Sequence, residues 1–203
     1  RATERALAAG GCMRATLDLV EQVRREVSTP IVIFSYANPI VRMGLDAFAA
    51  RAAGVGVEGV LAPDLPVEEA DEFRNAISKA GLDTIFLLSP TTTDERIQKA
   101  AELGRGFLYG ISRLGVTGAR TTVASGAEEM VRRIRRFTDM PLALGFGIST
   151  PEHVAEVGAY ADAAVVGSAL VALIAEASGT PDLISHVEDY VRSLRAACVP
   201  SKA

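Results

Sequence analysis

Short apolar, β-branched runs alternate with longer segments of helical period along the chain, and that alternation predicts a parallel α/β fold. Two further observations sharpen the expectation. The runs are apolar nearly throughout, as strands covered on both faces must be. Glycine-containing loops follow several of them at the C-terminal end, where β/α barrels carry their sites. With 203 residues and 49% hydrophobic content, the chain suffices for one sizeable domain.

Taken in order, residues 1–9 read as helix, and Leu17, Val20 and Val23 mark a second helix. Strands are expected at 31–35, 59–62, 84–88, 106–111, 142–146 and 163–166. Between them, four groups fall at helical spacing: Leu45, Phe48, Ala49 and Ala52; Phe73 and Ile77; Ile97, Ala100 and Ala101; Met130, Val131, Ile134 and Phe137. Each marks a crossover helix. Thr93-Asp94-Glu95 and Thr150-Pro151-Glu152 supply helix starts, Glu68 and Glu69 suit a first helical turn, and Gly54 and Gly81 suit helix ends. Residues 182–197 place Leu183, Val187, Val191 and Leu194 on one face of a closing helix.

Six strands do not close an eight-stranded barrel, whose typical size is about 250 residues. The expected fold class is therefore α/β, of the TIM (β/α)8 barrel family, with about six of the eight strands present in one incomplete domain over residues 1–203. The remainder is expected before Arg1, because a phosphate-loop pattern and terminal helices follow the last strand. A first residue other than Met, already in helical sequence, agrees with the interior of a longer protein. An open doubly wound sheet is the alternative; against it, no G-x-G-x-x-G follows a first strand.

Composition excludes several function classes. No apolar run approaches the roughly 18 residues of a membrane span. The net charge is -4, and Arg132, Arg133, Arg135 and Arg136 form the only basic cluster, interleaved with apolar residues as a solvated helix face would be. No nucleic-acid partner is expected. Cys12 and Cys198 lie far apart without metal-ligand spacing, which fits free thiols in a reducing cytoplasm. His153 and His186 fall on separate helices, so no metal site is expected.

Chemistry concentrates in the loops. Gly145-Phe146-Gly147-Ile148-Ser149 and Gly167-Ser168-Ala169 follow the last two strands, where backbone N–H groups at a helix start can face a phosphate. Gly147, Gly167 and Ser168 are the candidate phosphate binders, with Gly118 in the preceding loop; the plainer alternative is that these glycines only permit tight turns. That preceding loop, Ser112-Arg113-Leu114-Gly115-Val116-Thr117-Gly118-Ala119-Arg120, has the character of a mobile lid.

These motifs also carry a resemblance. Tyr36-Ala37-Asn38-Pro39, Pro63-Asp64-Leu65-Pro66-Val67-Glu68-Glu69, Ser89-Pro90-Thr91-Thr92, the lid, and the two glycine motifs occur in the order found in the tryptophan synthase alpha subunit. The chain resembles that family over nearly its whole length. The resemblance implies a carbon–carbon lyase of tryptophan biosynthesis that cleaves indole-3-glycerol phosphate into indole and glyceraldehyde 3-phosphate. Gly118, Gly147, Gly167 and Ser168 would hold the substrate phosphate. Phe34, Leu61, Tyr109, Phe146 and Val165 would line the indole pocket, although barrel-core packing explains the apolar ones equally well.

Arg113 and Thr117 belong to the lid, where Thr117 would reach a catalytic Asp on closure and Arg113 would steer the anion or hold the lid. The family's catalytic Glu and Asp fall before Arg1, so no catalytic residue is assigned, and Tyr109 would lie close to the Glu. Asp64 is a conceivable substitute acid, but its place before Leu65-Pro66 favours loop capping. The implied partner is the beta subunit of an α2β2 assembly, with Asn38, Pro39, Ile40 and Pro66 at the interface. Pyridoxal phosphate is expected only in that partner, and no cofactor in this chain. The competing function is a noncatalytic fragment or regulatory module that binds the beta subunit or a phosphate ligand. Indole-3-glycerol phosphate synthase, another phosphate-binding barrel, is disfavoured by the lid string.

Overall fold

The computed structural model describes residues 2–111, 125–145 and 147–198. Two helices, α1 (Ala2–Ala8) and α2 (Met13–Val23), precede β1 (Val32–Phe34). Then follow α3 (Ala37–Met43), α4 (Leu45–Gly54), β2 (Gly59–Leu61), a 3-10 turn (Val67–Glu69), α5 (Asp71–Lys79), β3 (Asp83–Ile85) and β4 (Leu87–Leu88). The chain continues through α6 (Asp94–Leu103), β5 (Leu108–Ile111), α7 (Ser125–Ile134), β6 (Leu142–Gly145), α8 (Pro151–Gly158), β7 (Ala163–Val165), α9 (Ser168–Ala177) and α10 (Leu183–Ala196). Among the described residues, no helix is long and apolar enough to cross a membrane.

The strands run in chain order within two sheets, β1-β2-β3 and β4-β5-β6-β7. The β1–β2, β2–β3 and β6–β7 pairs are parallel. Neither sheet reverses its order, so neither contains the switch point of a doubly wound fold. One expected strand, 84–88, is divided at Phe86. Residues 83–85 ladder with β2, whereas 87–88 lie beside β5, so the run changes partner at the buried Phe86. A uniformly apolar run has no period that could reveal this break.

The described chain divides into two compact units, Arg1–Leu87 with Asp94–Leu108, and Leu88–Thr93 with Tyr109–Ala203. The first unit is built around a cluster to which α2, α3, α4 and α5 contribute their apolar stripes: Leu17 and Val20, Ile40, Phe48 and Ala52, Phe73 and Ile77, packed with Ile33 and Val60 of the strands. Val23, expected on the same stripe, is instead exposed. In the second unit the buried side chains come from α7 (Met130, Val131, Ile134), β6 (Leu142, Ala143, Leu144) and α8 (Val154, Val157). In contrast, α9 buries only Ala177, and α10 buries nothing fully.

Helix ends follow local chemistry. Thr150 caps α8, its hydroxyl accepting the His153 N–H at 3.3 Å, with Pro151 in the first turn. Gly81, at φ +79°, follows the end of α5. After α4 the left-handed residue is Gly56 at φ +85°, and Gly54 is still helical, so the expected stop lies two residues later. Glu68 and Glu69 sit in the 3-10 turn rather than in an α-helix.

Candidate functional site

The ladder between β6 and β7 sets the geometry of the second unit's loops. Gly145 pairs with Val165, and Gly147 and Gly167 each lie two residues beyond that pair. The two glycine loops therefore leave neighbouring strands, about 4.8 Å apart, at matching heights.

The two glycines are there for different reasons. Gly147 has φ +83°, a conformation that L side chains rarely adopt, so the turn itself demands glycine. Gly167 has φ -125°, and a Cβ built on it meets nothing within 4 Å. The fold makes no demand for glycine there. Gly167 is the N-cap of α9 and supplies no side-chain cap. Its C=O accepts the Val171 N–H at 3.0 Å, which leaves the preceding first-turn N–H groups without intrahelical partners. The exposed Ser168 adds a hydroxyl at the same end. Open space, first-turn N–H groups without intrahelical partners and the positive end of the helix dipole are features that suit an anion.

Ser149, at the end of the β6 loop, is held on both sides of its backbone. Its N–H donates to His153 Nδ1 at 3.3 Å, and its C=O accepts the Tyr190 hydroxyl of α10 at 2.8 Å. Sequence reasoning missed both side chains as functional. The Tyr190 contact spans 41 residues, and no local spacing announces it.

Tyr109, on β5, packs its ring against the backbone of Gly145: a Cβ there would lie 2.6 Å from the tyrosine Cζ. Partial burial raises the Tyr109 hydroxyl above its ordinary pKa. Val165 is half-buried at the end of β7. Phe146, Arg113, Thr117 and Gly118 lie outside the described residues.

In the first unit, Phe34 and Leu61 are cross-strand partners at the last position of the β1–β2 ladder. Leu61 is buried, whereas Phe34, on the edge strand, is 57% exposed. Phe34, Asn38 and Pro39 line a cleft of about 900 Å³ together with Leu7, Cys12 and Met13. Asn38 and Pro39 are exposed on the first turn of α3 rather than on a loop, and Pro66 is exposed on the loop that follows β2. Ile40 is fully buried in the core cluster because it occupies the inward stripe of α3; only its neighbours remain available to a partner.

Asp64 Oδ1 accepts the Ala37 N–H at 2.8 Å, so it caps the start of α3 and ties together the loops that follow β1 and β2. That contact realises the capping alternative for Asp64. Glu68 is held below the usual carboxylate range, first by a backbone hydrogen bond and then by its ion pair with Arg96 at 2.7 Å.

Comparison with known proteins agrees with this arrangement. The family model described as tryptophan synthase alpha chain matches residues 1–199. The tryptophan synthase alpha chain of Solibacter usitatus is 44% identical over 195 residues, covering 96% of this chain and 73% of that one. That of Geobacter sulfurreducens is 48% identical over 195 residues, with 96% and 74% covered. A solved structure of the tryptophan synthase a2b2 complex from Pyrococcus furiosus aligns with a TM-score of 0.88 at 39% identity, covering 95% of this chain and 77% of that one. The alpha subunit from Legionella pneumophila gives 0.86 at 34%, with 96% and 72% covered. The fold class is thus that of the (β/α)8 barrel, represented here by part of its strands. Shorter than these relatives but matched over nearly all its length, the chain belongs to the tryptophan synthase alpha chain family.

Proposed function

We propose that the chain carries the phosphate-gripping part of an enzyme that cleaves indole-3-glycerol phosphate to indole and glyceraldehyde 3-phosphate, docked in its working state on a beta subunit. Gly167 carries this reading: a glycine that the fold does not require, at an uncapped helix start, is explained by a ligand that must approach the backbone closely. Gly147, Gly167 and Ser168 are proposed to hold the phosphate, with Gly118 joining from the lid. Family membership supports the expectation that Phe34, Leu61, Tyr109, Phe146 and Val165 meet the indole ring. It likewise supports Asn38, Pro39 and Pro66 as partner contacts, and Arg113 and Thr117 as lid residues. Pyridoxal phosphate belongs to the beta subunit in this reading.

The reaction is a retro-aldol cleavage. A proton is added to the indole carbon that bears the glycerol chain, the carbon–carbon bond breaks, and the adjacent glycerol hydroxyl gives up its proton as it becomes the aldehyde carbonyl. Protons balance, so the chemistry needs a positioned acid and base and no redox partner. By the resemblance, neither carboxylate is assigned to a residue of this chain. The 203-residue polypeptide by itself is therefore expected to bind the substrate phosphate without appreciable turnover.

Gly167→Asp tests the assignment. Asp is a favourable N-cap residue and complements the helix dipole, so the variant should fold at least as well as the parent sequence. Its carboxylate nevertheless occupies the anion's place, and affinity for indole-3-glycerol phosphate, followed by titration calorimetry, should fall at least about tenfold, or about 1.4 kcal/mol. Unchanged affinity in the folded variant would reject the site. Robust indole release by the purified 203-residue polypeptide would reject the division of labour and direct the search for an acid to Asp64.

A further inference from the structure

The loop 147–149 begins at a glycine in a left-handed conformation and ends at a residue whose N–H and C=O are both taken by side chains. Ile148 is buried and Ser149 half-buried, so these backbone groups need partners from the protein or from ordered water. Here His153 of α8 holds one and Tyr190 of α10 holds the other. A loop that must present backbone donors to an anion binds more tightly when it is ordered beforehand, because less conformational freedom is lost on binding.

We propose that Tyr190 and His153 are positioning residues that clamp Ser149 and so hold the loop 147–149 in its phosphate-binding conformation. The proposal rests on the reading of the β6 and β7 loops as the phosphate site. Neither side chain touches the ligand; each acts through the Ser149 backbone. The Tyr190 hydroxyl is protonated at neutral pH like any tyrosine, as its donor role requires, and burial raises its pKa further. His153 Nδ1 acts as an acceptor, so the ring is in the tautomer that carries its proton on Nε2.

The test uses the full 203-residue chain, labelled with 15N and titrated with inorganic phosphate. Tyr190→Phe keeps the ring and removes only the donor; His153→Ala removes the acceptor, and His153→Asn returns one near the position of Nδ1. Relaxation of the Gly147 and Ile148 amides should show a more mobile loop in Tyr190→Phe and His153→Ala without ligand. Phosphate affinity should fall about threefold to tenfold in both, the factor that one net hydrogen bond allows. Recovery in His153→Asn would separate positioning from mere packing. Unchanged loop amides in the two deletion variants would overturn the clamp, as would a loosened loop with unchanged affinity. If the parent chain shows no phosphate-dependent shifts at Gly147 or Gly167, the phosphate reading falls and the positioning role falls with it; parent binding with insensitive variants sinks only the clamp.

Discussion

Gly145, Gly147 and Gly167 look alike as letters, yet each is glycine for its own reason: Gly145 because the Tyr109 ring lies on its backbone, Gly147 because of its positive φ, and Gly167 because of nothing in the fold. The demand of a tight turn thus accounts for glycine at 147 and does not account for it at 167. Sequence spacing located all three but could not separate them, since steric demand is set by partners tens of residues away. For Asp64 the loop context before Leu65-Pro66 pointed to a capping role, but not to its target, because the Ala37 N–H that it accepts lies 27 residues away. Tyr160 was not legible at all. Its hydroxyl is buried with no hydrogen-bond partner among the described residues, and burial, with Glu156 and Glu128 adding to it, pushes its pKa up to about 12. An unfolded tyrosine releases its proton near its ordinary value of 10, whereas folded Tyr160 keeps it until about 12. Between those values the unfolded state binds fewer protons, so this residue's contribution to stability is intact below pH 10 and is lost as pH rises towards 12. Tyr160→Phe should flatten that alkaline decline in urea denaturation. At neutral pH it should leave stability equal or raise it by up to about 1 kcal/mol, because an unsatisfied hydroxyl is removed. An unaltered alkaline decline would refute the assignment.

At the scale of elements, the same tie appears once in each unit. In the first, Arg24, just past α2, donates to the Gly56 C=O and pairs with Glu58, whose other oxygen accepts the Ile31 N–H at 2.6 Å. In the second, Arg135, just past α7, donates to the Met140 C=O and pairs with Asp162, which accepts the Leu142 N–H at 2.7 Å. In both, an acid immediately before one strand grips the start of its neighbour and the end of a helix, fixing register at the N-terminal end of the ladder, away from the glycine loops. Helices and strands were readable because their periods are local. These ties and the break at Phe86 were not, because each is set by pairing between distant residues. Glu58 and Asp162 carboxylates are about half exposed, so screening leaves their ion pairs little weight and the backbone hydrogen bond carries the effect. Asp162→Ala should therefore cost about 1–2 kcal/mol in urea denaturation. Adding Arg135→Ala should cost less than the sum of the two single changes. Full additivity would show that the two side chains do not act as one tie.

For the whole molecule, the order of the loop motifs was enough to reach the family, because loop residues answer to the ligand and the partner rather than to the core. Their sequence signature therefore survives without any tertiary information. What the sequence could not show is how unequally the elements are covered. The spacing of Leu183, Val187, Val191 and Leu194 predicts a packed face on α10, and the helix forms as expected. None of its residues is fully buried, however, and Ile184 and Val191 are exposed, as are Val171 and Ile174 of α9. Phe48 of α4 and Ile77 of α5, by contrast, are completely covered. Amphipathic period reports that a face is apolar, not that a neighbour covers it. Helical stability in proteins comes mostly from packing of that face, and segments with few buried contacts open at lower free energy than the core. Amide hydrogen exchange on the 203-residue chain should accordingly show α9 and α10 exchanging at least about tenfold faster than the slowest amides of α4 and α5, a gap of about 1.4 kcal/mol in opening free energy. Equal protection across these four helices would mean that the uncovered faces of α9 and α10 are satisfied in solution, and would remove the argument that the second unit's C-terminal helices are its least stable part.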